Sequence, residues 1–452
     1  MSAARPIGAR EYARRRRELM RMAGADAAIL LAAAPPRLRN GDTTWPYRQD
    51  SDFLYLTGFD EPAAVLALLP GRRAGQSVLF CREREPAQER WDGAWRGPEG
   101  AVRELGLDDA FPVADIDDIL PGMLEGRARL YCHFGREAAF DAQLLAWLRR
   151  LRATQGVAQA PQEMLALGHL LHELRLFKSP AELGLLRHAA SIGVDAHRIA
   201  WAALAPGVPE FTIEADFVHA LRRAGALPSY PPIVAGGRNA CVLHYARNDA
   251  LLRDGDLLLL DAGAEWQGYA SDITRTLPVN GRFNPAQRAL YQLVLDAQRA
   301  ALAVIRPGRG WEAFHQAARD VLIEGLCALG LLKGTPAQAL ASGNYRRYFP
   351  HKTGHWLGLD VHDAGDYRIH GEPRLLEPGM VLTVEPGVYV APDERAAPPR
   401  YRGTGIRIED DVVVTATGAE VLTAALPKDP DVLEDALASA RPPHSPTATL
   451  RV

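Results

Sequence analysis

The sequence is poor in cysteine and has no closely spaced pair of cysteines. Its 452 residues contain four cysteines, and no two of them form a CxxC motif. Scattered thiols of this kind are typical of proteins from a reducing compartment and not of disulfide-stabilised secreted proteins. We therefore expect unpaired, buried cysteines and a cytoplasmic protein.

Long apolar segments and a strong net charge are missing as well. No apolar run approaches the ~20 residues that a transmembrane helix needs. The arginines at 14–17 have no apolar segment behind them, which argues against a secretory signal and predicts a solvated helix face. A net charge of -3 gives no reason to expect nucleic acid or an anionic membrane as a partner.

The length of the chain predicts two or three domains. Short buried strands between helical patterns predict an α/β domain over residues 1–174. Ser179, Pro180 and Glu182 then form a capping box with proline at the first helical position, so a second domain begins near 175 and runs to about 430. The tail, residues 431–452, is rich in alanine and proline, and we expect it to be partly disordered.

Helices and hairpins alternate in the second domain, in two halves that suggest an internal structural duplication. Asn284 and Pro285 predict the start of a helix that runs to about Ile305. The segment PPIVAGGRNACVLHYA predicts a strand, a glycine turn and a second strand that ends near His244.

One stretch of the second domain, residues 257–276, predicts two strands joined by a tight turn near Trp266 and Gln267. With these two as the turn residues, Asp261 and Asp272 face each other directly, and a slip of one residue makes them near-diagonal neighbours. Like charges opposite each other on paired strands are destabilising, and burial behind four leucines increases the cost. A cation between the carboxylates removes this cost, which predicts a metal site.

Two more acids extend the candidate ligand set. Glu385 in VLTVEPG and Glu409 in GIRIEDD lie inside apolar, β-like runs, where a lone carboxylate is not expected. Only Arg407 is obviously nearby, so ion pairing does not account for four such acids. Four carboxylates and one imidazole can hold two divalent ions. The oxygen-rich set favours manganese, and the single histidine leaves zinc and cobalt open.

Two metal ions about 3.5–4 Å apart can share a water molecule, lower its pKa and offer hydroxide near neutral pH. Such a hydrolase needs no nucleophilic serine or cysteine, and the sequence has no GxSxG motif. His351, His355 and His362 fall in one segment whose Pro350 and glycines favour a loop or strand over a helix. No HExxH motif is present, so spacing alone does not choose the histidine ligand.

Five segments carry a resemblance to a known family: RNGDTTWPYRQDSDFLYLTGF, DAGAEWQGYASDITRT, HWLGLDVHD, LTVEPGVY and GIRIEDD. Together they resemble the Xaa-Pro aminopeptidases (aminopeptidase P) of the pita-bread metallopeptidase class, from about residue 8 to 428. The resemblance implies an α/β (α+β) protein, with a creatinase-like N-terminal domain and a C-terminal pita-bread domain that holds two manganese ions. PHKTGHWLG departs from the HGLSHWLG form of bacterial members at residues 352–354.

The resemblance also implies a role for each candidate ligand. Asp261 would chelate one ion, Asp272 and Glu409 would bridge both, and His355 and Glu385 would bind the other. Glu385 would also receive and pass on a proton from a metal-bridging hydroxide, which releases the first residue of peptides with proline second.

The same resemblance implies supporting roles around the metal ions. His244 and His362 would steady the scissile carbonyl and the tetrahedral intermediate. His351 would help line the proline pocket, Tyr389 would line the cleft, and Arg407 would orient the groups around the metals.

Restriction to the first residue needs a blocked far end of the site. In the family, the N-terminal domain and a neighbouring subunit narrow that end, and Asp42 and Trp91 align with positions implicated there. The alternative interpretation of these two is a surface loop and a packing aromatic. The resemblance also implies a homo-oligomer, a dimer or tetramer.

Three alternative functions stay open at this point. Prolidase is a dipeptidase with the same metals, although the stretch DTTWPYRQDSDFLYLTGF favours aminopeptidase P. Methionine aminopeptidase shares the catalytic fold but normally lacks the large N-terminal domain. A non-catalytic pita-bread module that only binds peptides would have lost metal ligands, and this chain keeps residues of the expected types.

Overall fold

The computed structural model describes residues 6–153 and 159–440. The chain divides into two compact units, Pro6–Arg175 and a second one that begins at Leu176. Residues Pro430–Ala440 form a helix whose Leu433 and Leu437 are buried in the core of the second unit. Residues 431–440 of the tail, for which we expected partial disorder, are therefore helical. The other residues of that tail, 441–452, lie outside the described residues.

The N-terminal unit alternates strands and helices. Its helices are α1 Ala9–Ala23, α2 Ser51–Thr57, α3 Pro86–Asp92, α4 Gly97–Leu105, α5 Ile116–Leu124, α6 Ala138–Ala153 and α7 Gly168–Leu176. Its strands are β1 Ala27–Ala32, β2 Leu38–Asn40, β3 Thr43–Thr44, β4 Val65–Leu68, β5 Ser77–Cys81, β6 Asp109–Pro112, β7 Arg129–Cys132 and β8 Glu163–Ala166.

Six of these strands form one mixed sheet in the order β6-β5-β4-β1-β7-β8. Strands β1, β7 and β8 are parallel, as are β5 and β6, while β4 is antiparallel to both of its neighbours. The apolar residues of the sheet pack with those of α5 and α6 into a separate core. This agrees with the predicted α/β domain.

The arginine-rich start of the chain corrects one expectation. Arg14 and Arg17 are exposed as predicted, but Arg15 and Arg16 are each only 1% exposed. Arg15 donates to the carbonyl of Tyr55, and Arg16 donates to the carbonyls of Leu56, Leu105 and Gly106. These guanidinium groups therefore satisfy the last carbonyls of α2 and α4, which no helix can satisfy by itself.

The second unit contains six α-helices among its described residues. They are α8 Pro180–Ala202, α9 Glu210–Arg223, α10 Pro285–Val304, α11 Glu312–Ala328, α12 Pro336–Ser342 and α13 Pro430–Ala440. Helix α8 begins at the predicted capping box, in which Ser179 and Glu182 satisfy each other's backbone N–H groups. Asn284 and Gln287 do the same for α10. Among the described residues, no helix is long and apolar enough to cross a membrane.

The strands of the second unit are short. They are β9 Leu227–Pro228, β10 Ile233–Gly236, β11 Leu257–Asp261, β12 Ala264–Trp266, β13 Tyr269–Ala270, β14 Thr274–Pro278, β15 Arg368–Ile369, β16 Glu372–Pro373, β17 Val381–Val384, β18 Gly387–Val390, β19 Thr404–Arg407, β20 Asp410–Val414 and β21 Ala419–Val421. They form sheets in the orders β10-β11-β14, β13-β12-β9, β17-β20-β21, β18-β19 and β15-β16.

The hairpin of residues 257–278 has a different register from the one that would pair the two aspartates. Its turn residues are Gln267 and Gly268, both with positive φ, one position beyond the expected turn. Asp261 consequently pairs with Thr274, and Asp272 lies two residues away on the partner chain segment, before β14 begins. The two carboxylates are diagonal neighbours, so the directly opposed arrangement is wrong and the near-diagonal alternative is correct.

A second hairpin holds the two glutamates in the opposed arrangement. Val384 pairs with Asp410 in β17 and β20, and Gly387 pairs with Arg407 in β18 and β19. Both pairs follow one register, which places Glu385 opposite Glu409 in the gap between them. Each hairpin therefore consists of two successive pairs of strands, and the acids lie at or next to the junction between the two pairs.

Candidate metal centre

Asp261 and Asp272 are held at a narrow kink in the first hairpin. Gly263 lies so close to the opposite strand that a Cβ atom there would be 1.8 Å from the carbonyl oxygen of Ser271. The Ser271 hydroxyl accepts from the N–H of Ala264 at 2.9 Å and so replaces a strand–strand bond. The pairing is therefore distorted between β11 and β12, although the N–H of Ser271 still donates to the carbonyl of Ala264, and the two acids flank this distorted segment.

His355 lies on an extended segment that pairs with β17. The N–H of Thr383 donates to the carbonyl of His355, and the N–H of Glu385 donates to the carbonyl of Thr353, at 2.9 and 2.8 Å. Gly354 faces this strand so closely that a Cβ there would be 2.0 Å from the carbonyl oxygen of Thr383. The predicted loop or strand, rather than a helix, is correct for this segment.

One pocket of about 690 Å³ brings most of the predicted site residues together. The acids and the histidine that we expected to bind metal all line it, and so do four of the five predicted supporting residues. The predicted residues in its lining are His244, Asp261, Asp272, His351, His355, His362, Glu385, Arg407 and Glu409. The fifth, Tyr389, is buried and hydrogen-bonded to two of them.

The carboxylates of this pocket outnumber its cationic groups. Burial raises the pKa of Asp261 and of Glu385, the latter to about 7, and raises the pKa of Glu409 well above its ordinary value. Burial also acts to raise the pKa of Asp272, but the hydrogen bond and charge of His355 outweigh it and hold that pKa low. The side chains alone leave surplus negative charge in a water-poor site.

His355 contacts two of the acids. Its Nε2 atom lies 3.4 Å from Asp272 and 3.8 Å from Glu385. Burial would lower the pKa of His355, but Asp272 and then Glu385 override this and raise the pKa to about 9. Its Nδ1 atom lies 2.9 Å from the carbonyl oxygen of Trp356, which fixes the ring with Nε2 toward the acids.

Arg407 connects the acids to the wall of the pocket. It forms a buried ion pair with Asp261 and donates to the Tyr389 hydroxyl at 2.7 Å. The Nε2 atom of His351 lies 2.9 Å from the same hydroxyl, and burial lowers the pKa of His351 to about 4. The chain Asp261–Arg407–Tyr389–His351 thus joins one acid to the wall of the pocket, and the role that the resemblance implies for Arg407 stays a prediction.

Two predicted histidines lie at the open side of the pocket. His362 and His244 are both exposed, and the rings of His362 and His355 meet edge to face at 4.3 Å. The expected strand before His244 is wrong, because Gly237–Cys241 forms a 3-10 helix that ends in a turn. Strand β10 ends before Gly237, which has a positive φ, and the chain turns there into the 3-10 helix.

Asp42 and Trp91 belong to the N-terminal unit. Asp42 is exposed in the turn between β2 and β3, and Trp91 is 85% exposed on α3. An exposed tryptophan does not contribute to the core of its unit, so the interpretation of Trp91 as a packing aromatic is wrong within this chain.

Three further residues of the site were missed by the sequence analysis. The Tyr230 hydroxyl contacts both Asp261 and Asp272, and Thr274 donates to Glu409 at 2.7 Å. Asp411 is buried and accepts from the N–H of Asp272. The run of acids at 409–411 could have indicated Asp411. Nothing in the sequence around Tyr230, which precedes two prolines, indicates its role.

Asp272, His355 and Glu409 each offer a ligand atom, and these atoms lie within 4.8 Å of one another. Glu385 faces Glu409 across the second hairpin, and Asp261 is the diagonal neighbour of Asp272. A hard, oxygen-rich donor set with one imidazole, and with surplus buried negative charge, fits divalent metal ions. Four carboxylates and one imidazole offer more ligand atoms than a single divalent ion usually binds. The set therefore fits two ions better than one.

A second group of metal-type residues occurs in the N-terminal unit. The Nε2 atoms of His133 and His172 lie 2.8 and 3.2 Å from one oxygen of Asp52. However, the buried Arg175 donates to Asp52 at 2.7 Å, and Arg136 lies 3.4 Å away. Because two guanidinium groups already neutralise this carboxylate, the cluster is a charge network and not a second metal centre.

These features define a metallopeptidase-type site on a two-unit chain, and comparison with known proteins agrees. Residues 184–416 match the model of metallopeptidase family M24, and residues 12–131 match the N-terminal domain of aminopeptidase P. The chain is 44% identical to the Xaa-Pro aminopeptidase of Escherichia coli strain K12 over 438 residues, 96% of this chain and 99% of that protein.

Solved structures give the same result. The structure of Pseudomonas aeruginosa aminopeptidase PepP is 52% identical with a TM-score of 0.95, covering 96% of this chain and 99% of that one. Zn-substituted E. coli aminopeptidase P in complex with product is 43% identical with a TM-score of 0.94, covering 97% and 100%. The chain belongs to metallopeptidase family M24 and, within it, to the Xaa-Pro aminopeptidases; prolidase is not favoured.

Proposed function

We propose that this protein releases the N-terminal residue from peptides that carry proline at the second position. The observation that supports this best is the convergence of four carboxylates and one imidazole on a single pocket. The residues that would hold two divalent ions are Asp261, Asp272, His355, Glu385 and Glu409.

When bound, two such ions lower the pKa of a water molecule and polarise the scissile carbonyl. Of the acids, Glu385 has the most accessible side chain, 19% exposed against 7% for Asp272 and 10% for Asp261. It therefore takes the proton of the attacking water and passes it to the departing proline nitrogen, which needs a proton to leave.

The remaining residues of the pocket hold the substrate. The exposed imidazoles of His244 and His362 reach the carbonyl and stabilise the tetrahedral oxygen. A proline ring has no N–H to pair with a strand, so it is recognised by packing. Ile233, Leu243 and Val361 supply the apolar wall of the pocket for that ring.

Manganese is the metal that we propose. The four carboxylates are hard oxygen ligands, which Mn²⁺ prefers, while the one imidazole keeps Zn²⁺ and Co²⁺ as competitors. We further propose a cytoplasmic homo-oligomer, a dimer or tetramer, in which Asp42 and Trp91 help to close the far end of the substrate site. The exposure of Trp91 supports this, since a large apolar side chain in water is available for a contact.

Hydrolysis of Arg-Pro-Pro tests the proposed activity. We expect release of free arginine, loss of activity after treatment with a chelator, and recovery on addition of Mn²⁺. Failure of any divalent metal to restore the chelated protein would contradict the metal assignment. Cleavage of Xaa-Pro dipeptides with no cleavage of the tripeptide would instead identify a prolidase.

A further inference from the structure

A fully buried ion pair lies in the second unit, outside the metal ligands. The Nζ atom of Lys178 lies 2.8 Å from a carboxylate oxygen of Asp363, and each side chain is 1% exposed. Lys178 is also fixed through its backbone, because its N–H donates to the carbonyl of Gly379 at 2.9 Å. Burial and these contacts therefore define one position for both partners without a substrate.

Asp363 closes the loop of residues 356–363 around this pair. Its N–H donates to the carbonyl of Trp356 at 2.9 Å, and its carboxylate accepts from the N–H of Asp360 at 3.3 Å. Gly358 passes directly over the pair. A Cβ atom at Gly358 would lie 2.2 Å from Asp363 and 3.0 Å from the Cε atom of Lys178.

This loop carries two histidines of the site. His355 precedes its neck, and His362 immediately precedes Asp363, with the two rings 4.3 Å apart. The carbonyl of Gly358 also accepts from the N–H of Ala270 at 2.9 Å, which joins the loop to the hairpin that carries Asp272. We infer that Lys178, through Asp363, is a positioning residue that sets where the His362 imidazole meets the substrate.

The energetics favour a role in positioning over one in stability. Removing two charges from water costs several kcal/mol per ion, and an apolar pair of similar volume is often as stable or more stable. A buried ion pair does, however, hold its partners at one distance and orientation. Within the described residues, the exposed His362 side chain has no hydrogen bond that would fix its position. The adjacent Asp363 therefore fixes the segment that carries it.

The choice of lysine supports this inference. The chain has 52 lysines and arginines together, yet only four of them are lysines, at 178, 333, 352 and 428. An ammonium group is compact, whereas a guanidinium is a wide planar fork. A Cβ atom added at Gly358 would already collide with Asp363 and crowd Lys178, so we expect the wider guanidinium to displace this loop.

Steady-state hydrolysis of Arg-Pro-Pro by the full chain at saturating Mn²⁺ tests the inference, which depends on the proposed function. We expect Lys178→Arg to lower kcat by about 10- to 100-fold with KM within about twofold, because a small displacement of a group that acts in the transition state affects kcat. The matched control, Lys333→Arg, changes an exposed lysine and leaves both constants unchanged.

A double-mutant cycle separates positioning of His362 from other effects. In a His362→Ala background, we expect Lys178→Arg to change kcat by less than about twofold, since the group it positions is gone. Asp363→Asn, which keeps the size of the side chain, serves the same test if Lys178→Arg melts early. An unreduced loss in the His362→Ala background, or wild-type kcat in both variants, overturns the inference. Inactivity of the wild-type protein overturns the proposed function instead.

Discussion

Asp272 contacts the side chains of both His355 and Tyr230 in the candidate metal centre. It lies 3.4 Å from His355 and contacts the hydroxyl of Tyr230, while its own backbone N–H donates to the carboxylate of Asp411. We expect Asp272→Asn to lower kcat on Arg-Pro-Pro by more than about 100-fold, because an amide lacks the charge and the second acceptor oxygen of a bridging carboxylate. The variant loses the charge that faces His355 but also relieves repulsion among the buried acids, so we expect its melting temperature to change little. Near-wild-type kcat would contradict a bridging role.

Tyr230 gives a second prediction at this scale. Its buried hydroxyl contacts Asp261 and Asp272 at once, which orients both carboxylates. We expect Tyr230→Phe to weaken Mn²⁺ binding by about 10- to 100-fold while kcat at saturating metal stays close to wild type. Metal titration measures this. Tyr291→Phe is the control, because its hydroxyl is also buried but bonds to the carbonyl of Lys428. Equal metal affinity in the two variants would contradict the prediction.

The acids of the site could be predicted from the sequence because an acid inside an apolar run is conspicuous. Asp261 follows four leucines, and Glu385 stands in VLTVEPG. Tyr230 and Lys178 could not, because their importance comes from partners 31 to 185 residues away. Arg15 was misjudged for the same reason, since the carbonyl that it satisfies lies 40 residues along the chain.

At the scale of elements, two hairpins interrupt their pairing where the acids project. In the first, the close approach of Gly263 to Ser271 sets the kink. We expect Gly263→Ala to lower the free energy of unfolding by at least about 2 kcal/mol and to weaken metal binding, because the strands must separate to admit the methyl group. Denaturant unfolding measures the first effect and metal titration the second.

Gly418→Ala is the control for this prediction. A Cβ atom there would meet nothing within 4 Å, so its cost should stay within about 0.5 kcal/mol. If Gly263→Ala costs no more than Gly418→Ala, the kink does not depend on the glycine.

Local sequence predicted the helices better than the hairpin register. Helix α8 begins at its predicted capping box and α10 begins at the predicted Asn284 and Pro285, because a cap is formed by residues close together in the chain. The register of the first hairpin depended on a turn with Gln267 at positive φ, a conformation that favours Asn or Gly. The turn therefore lies one residue further on, and Asp272 moved from opposite Asp261 to a diagonal position. The opposition of Glu385 and Glu409 was not anticipated, since their hairpin is joined by a long loop.

At the scale of the whole molecule, two units each have a hydrophobic core of their own. Calorimetry of the metal-free protein should show two unfolding transitions. Mn²⁺ at 100 times its Kd should stabilise only one of them, by about 2.7 kcal/mol, because a ligand stabilises the unit that binds it. An equal shift of both transitions would contradict this assignment of the metal ions to the second unit.

The other unit supplies a pH-dependent prediction through Asp52. Burial acts to raise the pKa of Asp52, but hydrogen bonds from His133 and His172 and the charge of Arg175 outweigh it, so its folded pKa lies well below its ordinary value. A depressed pKa gives stability that is present above the unfolded pKa of about 3.9 and is lost as the pH falls toward the folded pKa. Asp52→Asn should therefore cost about 3–5 kcal/mol at pH 7, and the difference from wild type should shrink below about pH 4.

Unfolding of the N-terminal unit in denaturant at pH 7 and at pH 3 checks this prediction. Asp118→Asn is the control, because its side chain is 84% exposed. A difference between Asp52→Asn and wild type that stays constant between the two pH values would show that the carboxylate charge does not stabilise this unit.

The contact between Lys178 and Asp363 determines where the chain can be divided. Ser179 marks the start of α8, so a fragment beginning there would look complete by its sequence and would still form its first helix. Such a fragment would leave Asp363 buried without its counter-charge, in a loop next to His362. Anyone isolating the second unit should start upstream of Lys178, because one cation in front of the first helix holds a loop that lies almost two hundred residues further on.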